Sequence, residues 1–203
     1  MEKHLIAEDI TQMQDRYRRN FVNALTGFKS LNLVGTIHTT THQTNLAVFS
    51  QVFHIGANPA LIGILFRPDS VPRHTLENYE NTGYCTLNHV QASFYKQAHQ
   101  TSARYDYSEF EAVGLTPFFS EHCKAPYVAE SSLKIGLQWQ ERLDIRLNGT
   151  VLVIGSVVEV FLPENCLLED GFIDIEKAGS ITCSGLDSYH NTQIIGRLPY
   201  AKP

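Results

Sequence analysis

The chain has 203 residues, 43% of them apolar and 18% charged, a composition that can bury a core and argues against a disordered protein. Its net charge of -5, from 16 basic and 21 acidic residues, implies no general nucleic-acid surface, because such binding needs a basic patch to displace counterions. The N-terminal MEKHLIAEDITQMQ lacks the basic-then-apolar run of a signal peptide, and no apolar stretch approaches the roughly 20 residues that cross a bilayer.

Residues 9–26 read as a helix. Ile10, Met13, Tyr17, Phe21, Ala24 and Leu25 recur at spacings of three and four and share one face. Asp9 is the expected N-cap, with Gln12 three residues on, and Gly27 suits the left-handed residue past the end. The period then changes. LNLVGTIH (31–38) is strand-like, and the polar turn 39–43 leads into a second strand-like run, TNLAVFSQVFHI (44–55). ALIGILF (60–66) fits a strand buried on both faces. A helix is expected over 72–81, with Pro72 at its first position and Gly83 just past its end. YCTLNHV (84–90) is another strand, followed by polar helical or irregular sequence to about residue 130.

Leu133, Ile135, Leu137 and Trp139 alternate with other residues, as do Leu143, Ile145 and Leu147, before Asn148-Gly149 and the run 150–162. Asn-Gly between alternating strands predicts a long antiparallel hairpin with a two-residue turn, both of whose residues take positive φ. Residues 180–189 add one more strand. Strands in runs, with helices inserted rather than alternating, argue for a single mainly β domain: an antiparallel β-barrel with peripheral helices. The first strand holds only Gly35, and the chain has neither G-x-G-x-x-G nor G-x-x-x-x-G-K-[ST], so nucleotides bound in those standard ways are not expected.

Two stretches carry candidate chemistry. FRPDSVPRHT (66–75) joins a strand to a helix. The free N–H groups of a helix start favour an anion. Ser70 and Thr75 can donate hydroxyl bonds, and Arg67 or Arg73 can add a charge-assisted one, a set that suits a phosphate monoester. The plain alternative is a capped helix beside a solvated arginine. In TNLAVFSQ (44–51), Asn45 and Ser50 are polar and Ala47 is small, so a planar heterocycle can lie against the strand. The alternative is a strand with one solvated face. Together the two stretches make a cradle for a mononucleotide-like cofactor.

The ordered set Gly35-Thr36, TNLAVFS (44–50), ALIGILFRP (60–68), Ser70, Thr75 and Asn88 resembles the flavin reductase-like FMN-binding split barrels, over roughly residues 20–165, with a family-like tail at 185–203. The resemblance implies a Greek-key split barrel, a homodimer, and FMN near the dimer interface. By position, Thr44, Asn45, Leu46, Ala47 and Ser50 would meet the isoalloxazine and ribityl chain. Arg67, Ser70, Arg73 and Thr75 would contact the phosphate. No reductase substrate site aligns with residues 91–132, which should shape what reaches the flavin.

Hydride chemistry resides on the cofactor, so no catalytic triad or paired carboxylates are required, and no catalytic residue is assigned. His38 and His42 are four apart in a non-helical turn, and no metal site is expected. Cys85, Cys123, Cys166 and Cys183 form no C-x-x-C pair and are read as reduced thiols of a cytoplasmic protein. Leu198, Tyr200 and two prolines in RLPYAKP (197–203) point to a docked tail, and Tyr189 and His190 just before it are candidates to face the cofactor. The leading function is an FMN-dependent oxidoreductase taking hydride from NADH or NADPH. The alternatives are an FMN-binding protein for storage or sensing, and a β-barrel interaction module without flavin.

Overall fold

A computed structural model describes residues 1–68 and 71–202. In chain order the elements are α1 (Ala7–Gln12), α2 (Asp15–Leu25), β1 (Lys29–Ser30), β2 (Asn32–Ile37), β3 (Thr44–Phe49), β4 (Val52–Ala57), β5 (Ala60–Phe66), α3 (His74–Thr82), β6 (Tyr84–His89), α4 (Tyr95–Gln100), α5 (Glu109–Val113), β7 (Pro117–Phe118), β8 (Tyr127–Val128), β9 (Lys134–Ile145), β10 (Thr150–Phe161), β11 (Thr182–Ser184) and β12 (Ser188–His190). Seven strands form one antiparallel sheet in the order β3-β2-β6-β9-β10-β5-β4.

The order has a geometric consequence. β3 and β4 stand at opposite edges, yet only Ser50 and Gln51 separate them in the chain. The three peptide steps from Phe49 to Val52 span at most about 11 Å, so the sheet must curl until its edges nearly meet. The result is a Greek-key barrel, mainly β, split between β3 and β4. The run 44–55 is therefore two strands, not one. A fully apolar stretch continues a strand, whereas Ser50-Gln51 is where the chain leaves one edge for the other.

Two cores lie on the two faces of the curled sheet. Inside, Val34, Ile64, Phe66, Cys85, Leu87, Leu137, Val151 and Val153 enclose Leu76 and Tyr79 of α3, which plugs the barrel. Outside, Leu33 and Leu46 pack with Phe94, Ala98 and Phe110 from α4 and α5. All four cysteines are buried free thiols. β5 is less enclosed than its apolar sequence implies: Gly63, Ile64 and Phe66 are buried, but Leu61, Ile62 and Leu65 are only half-buried.

Gly35 shows how tightly the loop before β8 sits on the sheet. A Cβ there would lie 2.1 Å from the Pro126 carbonyl oxygen and 2.6 Å from Thr86 Oγ1, itself bonded to that carbonyl at 2.6 Å. A backbone carbonyl cannot swing aside as a side chain would. Gly35→Ala is expected to lower unfolding free energy by about 1–3 kcal/mol, read in a denaturant titration.

Four other boundaries differ from the sequence expectation. The helix over 9–26 is two helices, broken at the extended residues Met13 and Gln14. Arg18 supports the break by donating to the Thr11 and Met13 carbonyls at 2.9 and 3.1 Å. Asp9 is not the cap but sits in the first turn, accepting from Ile6 N–H at 2.9 Å. α3 starts at His74, with Arg73 as its cap residue and Pro72 outside it, and it ends at left-handed Gly83 as expected. The β9–β10 turn spans four residues, and only Gly149 takes positive φ. Asn148 instead folds back, its Oδ1 accepting from Thr150 N–H and Oγ1. The single strand expected over 180–189 is the β11–β12 hairpin, which joins β1 in a small separate sheet.

Candidate functional site

β3 is an edge strand, and its free edge is partly taken by the start of α5. Glu109 Oε2 accepts the Leu46 backbone N–H at 3.0 Å, and Thr44 Oγ1 pairs with Ser108 Oγ at 2.6 Å. Backbone groups alternate along a strand, so Val48, two residues on, presents its N–H and C=O at the same open edge. Asn45, Ala47 and Phe49 project to the other side from Leu46.

Between this edge, the Ser50–Gln51 crossing, the start of α3 and the segment 99–109 lies a cleft of about 770 Å³. Of the residues singled out from sequence, Asn45, Ala47, Ser50, Arg67, Arg73 and Thr75 all line it. Residues from three separate parts of the chain are thereby brought to one concavity. Thr44 and Leu46 are not among its walls. The Thr44 hydroxyl is held by Ser108, and Leu46 is fully buried in the outer core. Ser70 lies outside the described residues.

The α3 end of the cleft is suited to an anion. Arg73 Nε donates to the Pro68 carbonyl at 3.0 Å, which fixes the guanidinium plane and leaves its terminal nitrogens without a partner among the described residues. Arg67 and His74 line the same region. Glu77 Oε1 takes the Arg73 backbone N–H at 3.2 Å, so one donor of the helix start is already used. Thr75, buried, accepts from Asn45 Nδ2 at 3.0 Å and keeps its own hydroxyl proton to give. Asn45 Nδ2 also reaches Thr36 Oγ1 at 3.2 Å. Its amide donor is committed to the protein, while its carbonyl oxygen remains an acceptor.

Of the far wall, the sequence points only to Tyr189, which lines the cleft. His99, Arg104, Tyr105, Asp106 and Glu109 come from residues 91–132, while Cys183 and Tyr189 come from the β11–β12 hairpin. Burial raises the thiol pKa of Cys183, which therefore stays protonated at neutral pH. His190 faces elsewhere, bonding Ser184 Oγ at 2.8 Å and packing edge-on against Phe28. His38 is engaged in its own turn, its Nδ1 accepting from Thr40 and Thr41 N–H at 3.2 Å each. No helix among the described residues is long and apolar enough to cross a membrane.

Glu109 is the strut between the far wall and the strand. Glu109→Ala would leave the Leu46 N–H without its partner and release α5 from β3. We expect ligand affinity in the cleft to fall about three- to tenfold, with a smaller loss of stability, when titrations of the two proteins are compared.

Residues 29–174 match the family described as flavin reductase like domain. The chain belongs to this family. A protein of Shewanella frigidimarina, named as a flavin reductase with a split-barrel domain, is 47% identical, and 98% of this chain superposes on all of it with a TM-score of 0.94. Nitrilotriacetate monooxygenase component B of Bacillus cereus shares the fold at 20% identity and a TM-score of 0.84, covering 97% of this chain and all of that one. An uncharacterised protein of Halalkalibacterium halodurans is 30% identical over 140 residues, 65% of this chain and 66% of its own length, so the chain spans just under two thirds of that relative. The flavin reductase-like region starts at β1 and stops before β11. The helices α1 and α2, and the hairpin that brings Cys183 and Tyr189 to the cleft, lie outside it.

Proposed function

We propose that the cleft holds FMN and that the protein is an oxidoreductase using NADH or NADPH. The observation that carries the reading is the meeting, in one cleft, of an open strand edge beside Ala47 and a helix start whose arginine terminal nitrogens have no partner among the described residues. Small Ala47 leaves room for a flat ring. The Val48 backbone edge and Asn45 Oδ1 offer one donor and two acceptors to a heterocycle that displays both kinds of group. Arg67, Arg73, Ser70 and Thr75 would receive the phosphate. Bound there, the isoalloxazine would take a hydride from the nicotinamide and pass the electrons on. Protein groups would bind, orient and shield, which is the division of labour expected of a cofactor enzyme. The volume lies well within the range of about 300–1,000 Å³ typical of small-molecule sites, and a whole wall remains for a second ligand. That wall favours turnover over storage or sensing.

The test is direct. Purified protein loaded with FMN and desalted should keep the flavin absorbance, and NADH or NADPH should bleach it without added enzyme. Retention without bleaching by either nicotinamide would leave a flavin-binding protein. No retention would remove the flavin reading.

A homodimer is part of the proposal. α2 buries no residue on its own chain, and Tyr17, Leu25 and Phe28 are 59%, 62% and 67% exposed. Arg197 ties the tail to Asp170 at 2.6 Å and lies over the Phe172 ring, yet Ile195 and Leu198 on either side of it stay almost wholly exposed. These apolar surfaces need a partner. Sedimentation is expected to give about 46 kDa, twice the 22.9 kDa chain. A monomer that binds FMN tightly would contradict this.

A further inference from the structure

The far wall of the cleft contains a pair that the flavin reading leaves unused. His99 Nδ1 and Tyr189 Oη are 2.6 Å apart, and both residues line the cleft. They come from α4 and β12, 90 positions apart. Tyr189 is also braced by the ring of Tyr95 at 5.4 Å, and the His99 ring meets it edge-on at 5.8 Å. A contact this short and this braced fixes both groups.

Counting protons shows what the pair offers. A neutral imidazole carries one N–H, and a phenol one O–H. One of these protons makes the mutual bond. In either tautomer the other is left over, on Nε2 or on the phenol oxygen, as a donor. Burial, followed by the influence of Cys183 and Asp187, raises the Tyr189 pKa, so the phenol keeps its proton at neutral pH. Arg104, on the same wall, is exposed and makes no hydrogen bond or ion pair among the described residues. Tyr105 beside it is held by Gln100 Nε2 at 2.9 Å, which presents a fixed aromatic surface. Of the two carboxylates on this side, Glu109 is spent on the Leu46 N–H, and Asp106 forms no ion pair with Arg104.

We propose that this half of the cleft binds a planar organic compound bearing a conjugated carbonyl oxygen and a carboxylate. The His99–Tyr189 pair donates to the carbonyl, and Arg104 faces the carboxylate. Such a compound is the electron acceptor of the proposed function, and the inference rests on that reading. Tyr189 comes from the C-terminal hairpin, outside the family-matched region, whereas His99 and Arg104 lie within it.

The probe is 4-formylbenzoate, which has the ring, the carbonyl and the carboxylate, titrated calorimetrically into FMN-loaded protein. Flavin absorbance of the same sample records FMN content. Saturable binding is expected, with benzaldehyde and benzoate each weaker by about tenfold or more, since each lacks one recognised group. Tyr189→Phe should weaken the probe about tenfold and leave benzoate nearly unchanged. Arg104→Met should bring the probe down to the level of benzaldehyde, and Arg104→Lys should restore part of the difference. Both variants should keep wild-type FMN content, which also shows that they fold. Wild-type protein that retains FMN but ignores the probe, or variants that bind it as wild type does, would overturn the subsite and leave the flavin reading intact. The same holds if oxidised nicotinamide dinucleotide, and not the probe, responds to both substitutions, because the pair would then serve the hydride donor. A chain that retains no FMN overturns the flavin reading and this inference with it.

Discussion

Riboflavin is expected to bind at least tenfold more weakly than FMN, and Arg73→Ala is expected to erase most of that difference. The two flavins differ only in the phosphate, so the comparison isolates one end of the cleft. There the Arg73 guanidinium is pre-oriented by its bond to the Pro68 carbonyl, with its terminal nitrogens still free among the described residues. Holding the group in place before the ligand arrives reduces the ordering cost of binding. The first turn of α3 adds the dipole and N–H groups of a helix start, and Thr75 adds a hydroxyl. A charge-assisted hydrogen bond is worth about 1.5–3 kcal/mol, or roughly a factor of 10 to 150 in affinity. Losing the phosphate forfeits at least one such bond. Losing Arg73 forfeits the same bond from the protein side, so the two losses should not add. Fluorescence quenching with both flavins on both proteins gives the four constants needed. Equal affinities for FMN and riboflavin on the wild-type chain would move the phosphate away from α3.

The parts of the site that could be read from the sequence are those whose cause is local. Pro72, Arg73 and Thr75 next to an apolar strand mark a strand-to-helix junction, and the structure puts the helix start two residues later than the proline implied. The alternation in β9 and β10 gave the hairpin, though Asn148 contributes a side-chain acceptor to the turn rather than a left-handed backbone. Features with a distant cause were hidden. Nothing in VFSQVF marks the crossing at Ser50-Gln51, since neither glycine nor proline punctuates it, and only the closure of the sheet requires it. The break at Met13-Gln14 interrupts a good apolar stripe, none of whose residues is fully buried on its own chain, so little packing holds the two turns in line. Residues 99–109 form a wall only because Glu109 and Ser108 reach an edge strand more than 60 positions away. Their sequence holds aromatic and polar residues without a period, so no pattern pointed to the contact. His99 is the extreme case: Tyr189 is legible as a residue near the cofactor, but its partner on α4, 90 positions away, is not.

Asn45→Leu is expected to weaken FMN binding by tenfold or more and also to lower the stability of the apoprotein. The sequence alone predicts only the first effect, because a leucine of similar size leaves the strand pattern intact. The structure adds the second. Asn45 is nearly buried, and its Nδ2 bridges Thr75 Oγ1 at 3.0 Å and Thr36 Oγ1 at 3.2 Å, tying β3 to α3 and β2. Leucine would leave Thr75 short of a donor and Thr36 with only the longer bond from Asn78 Nδ2, at 3.4 Å. Buried polar atoms left unpaired cost about 1–3 kcal/mol, or roughly 2–12 °C of melting temperature in a domain of this size. The cofactor loss has a separate source: the Asn45 Oδ1, which would accept from the flavin edge, disappears. Thr36→Val separates the two. Thr36 lies on β2 and does not line the cleft, so its valine variant removes part of the buried network without touching the ligand. It should lower the apoprotein melting temperature while FMN affinity stays within about threefold of wild type. If Asn45→Leu loses stability to the same extent as Thr36→Val and binds FMN as wild type does, Asn45 is a strut between three elements. The flavin edge would then have to meet the backbone of β3 instead.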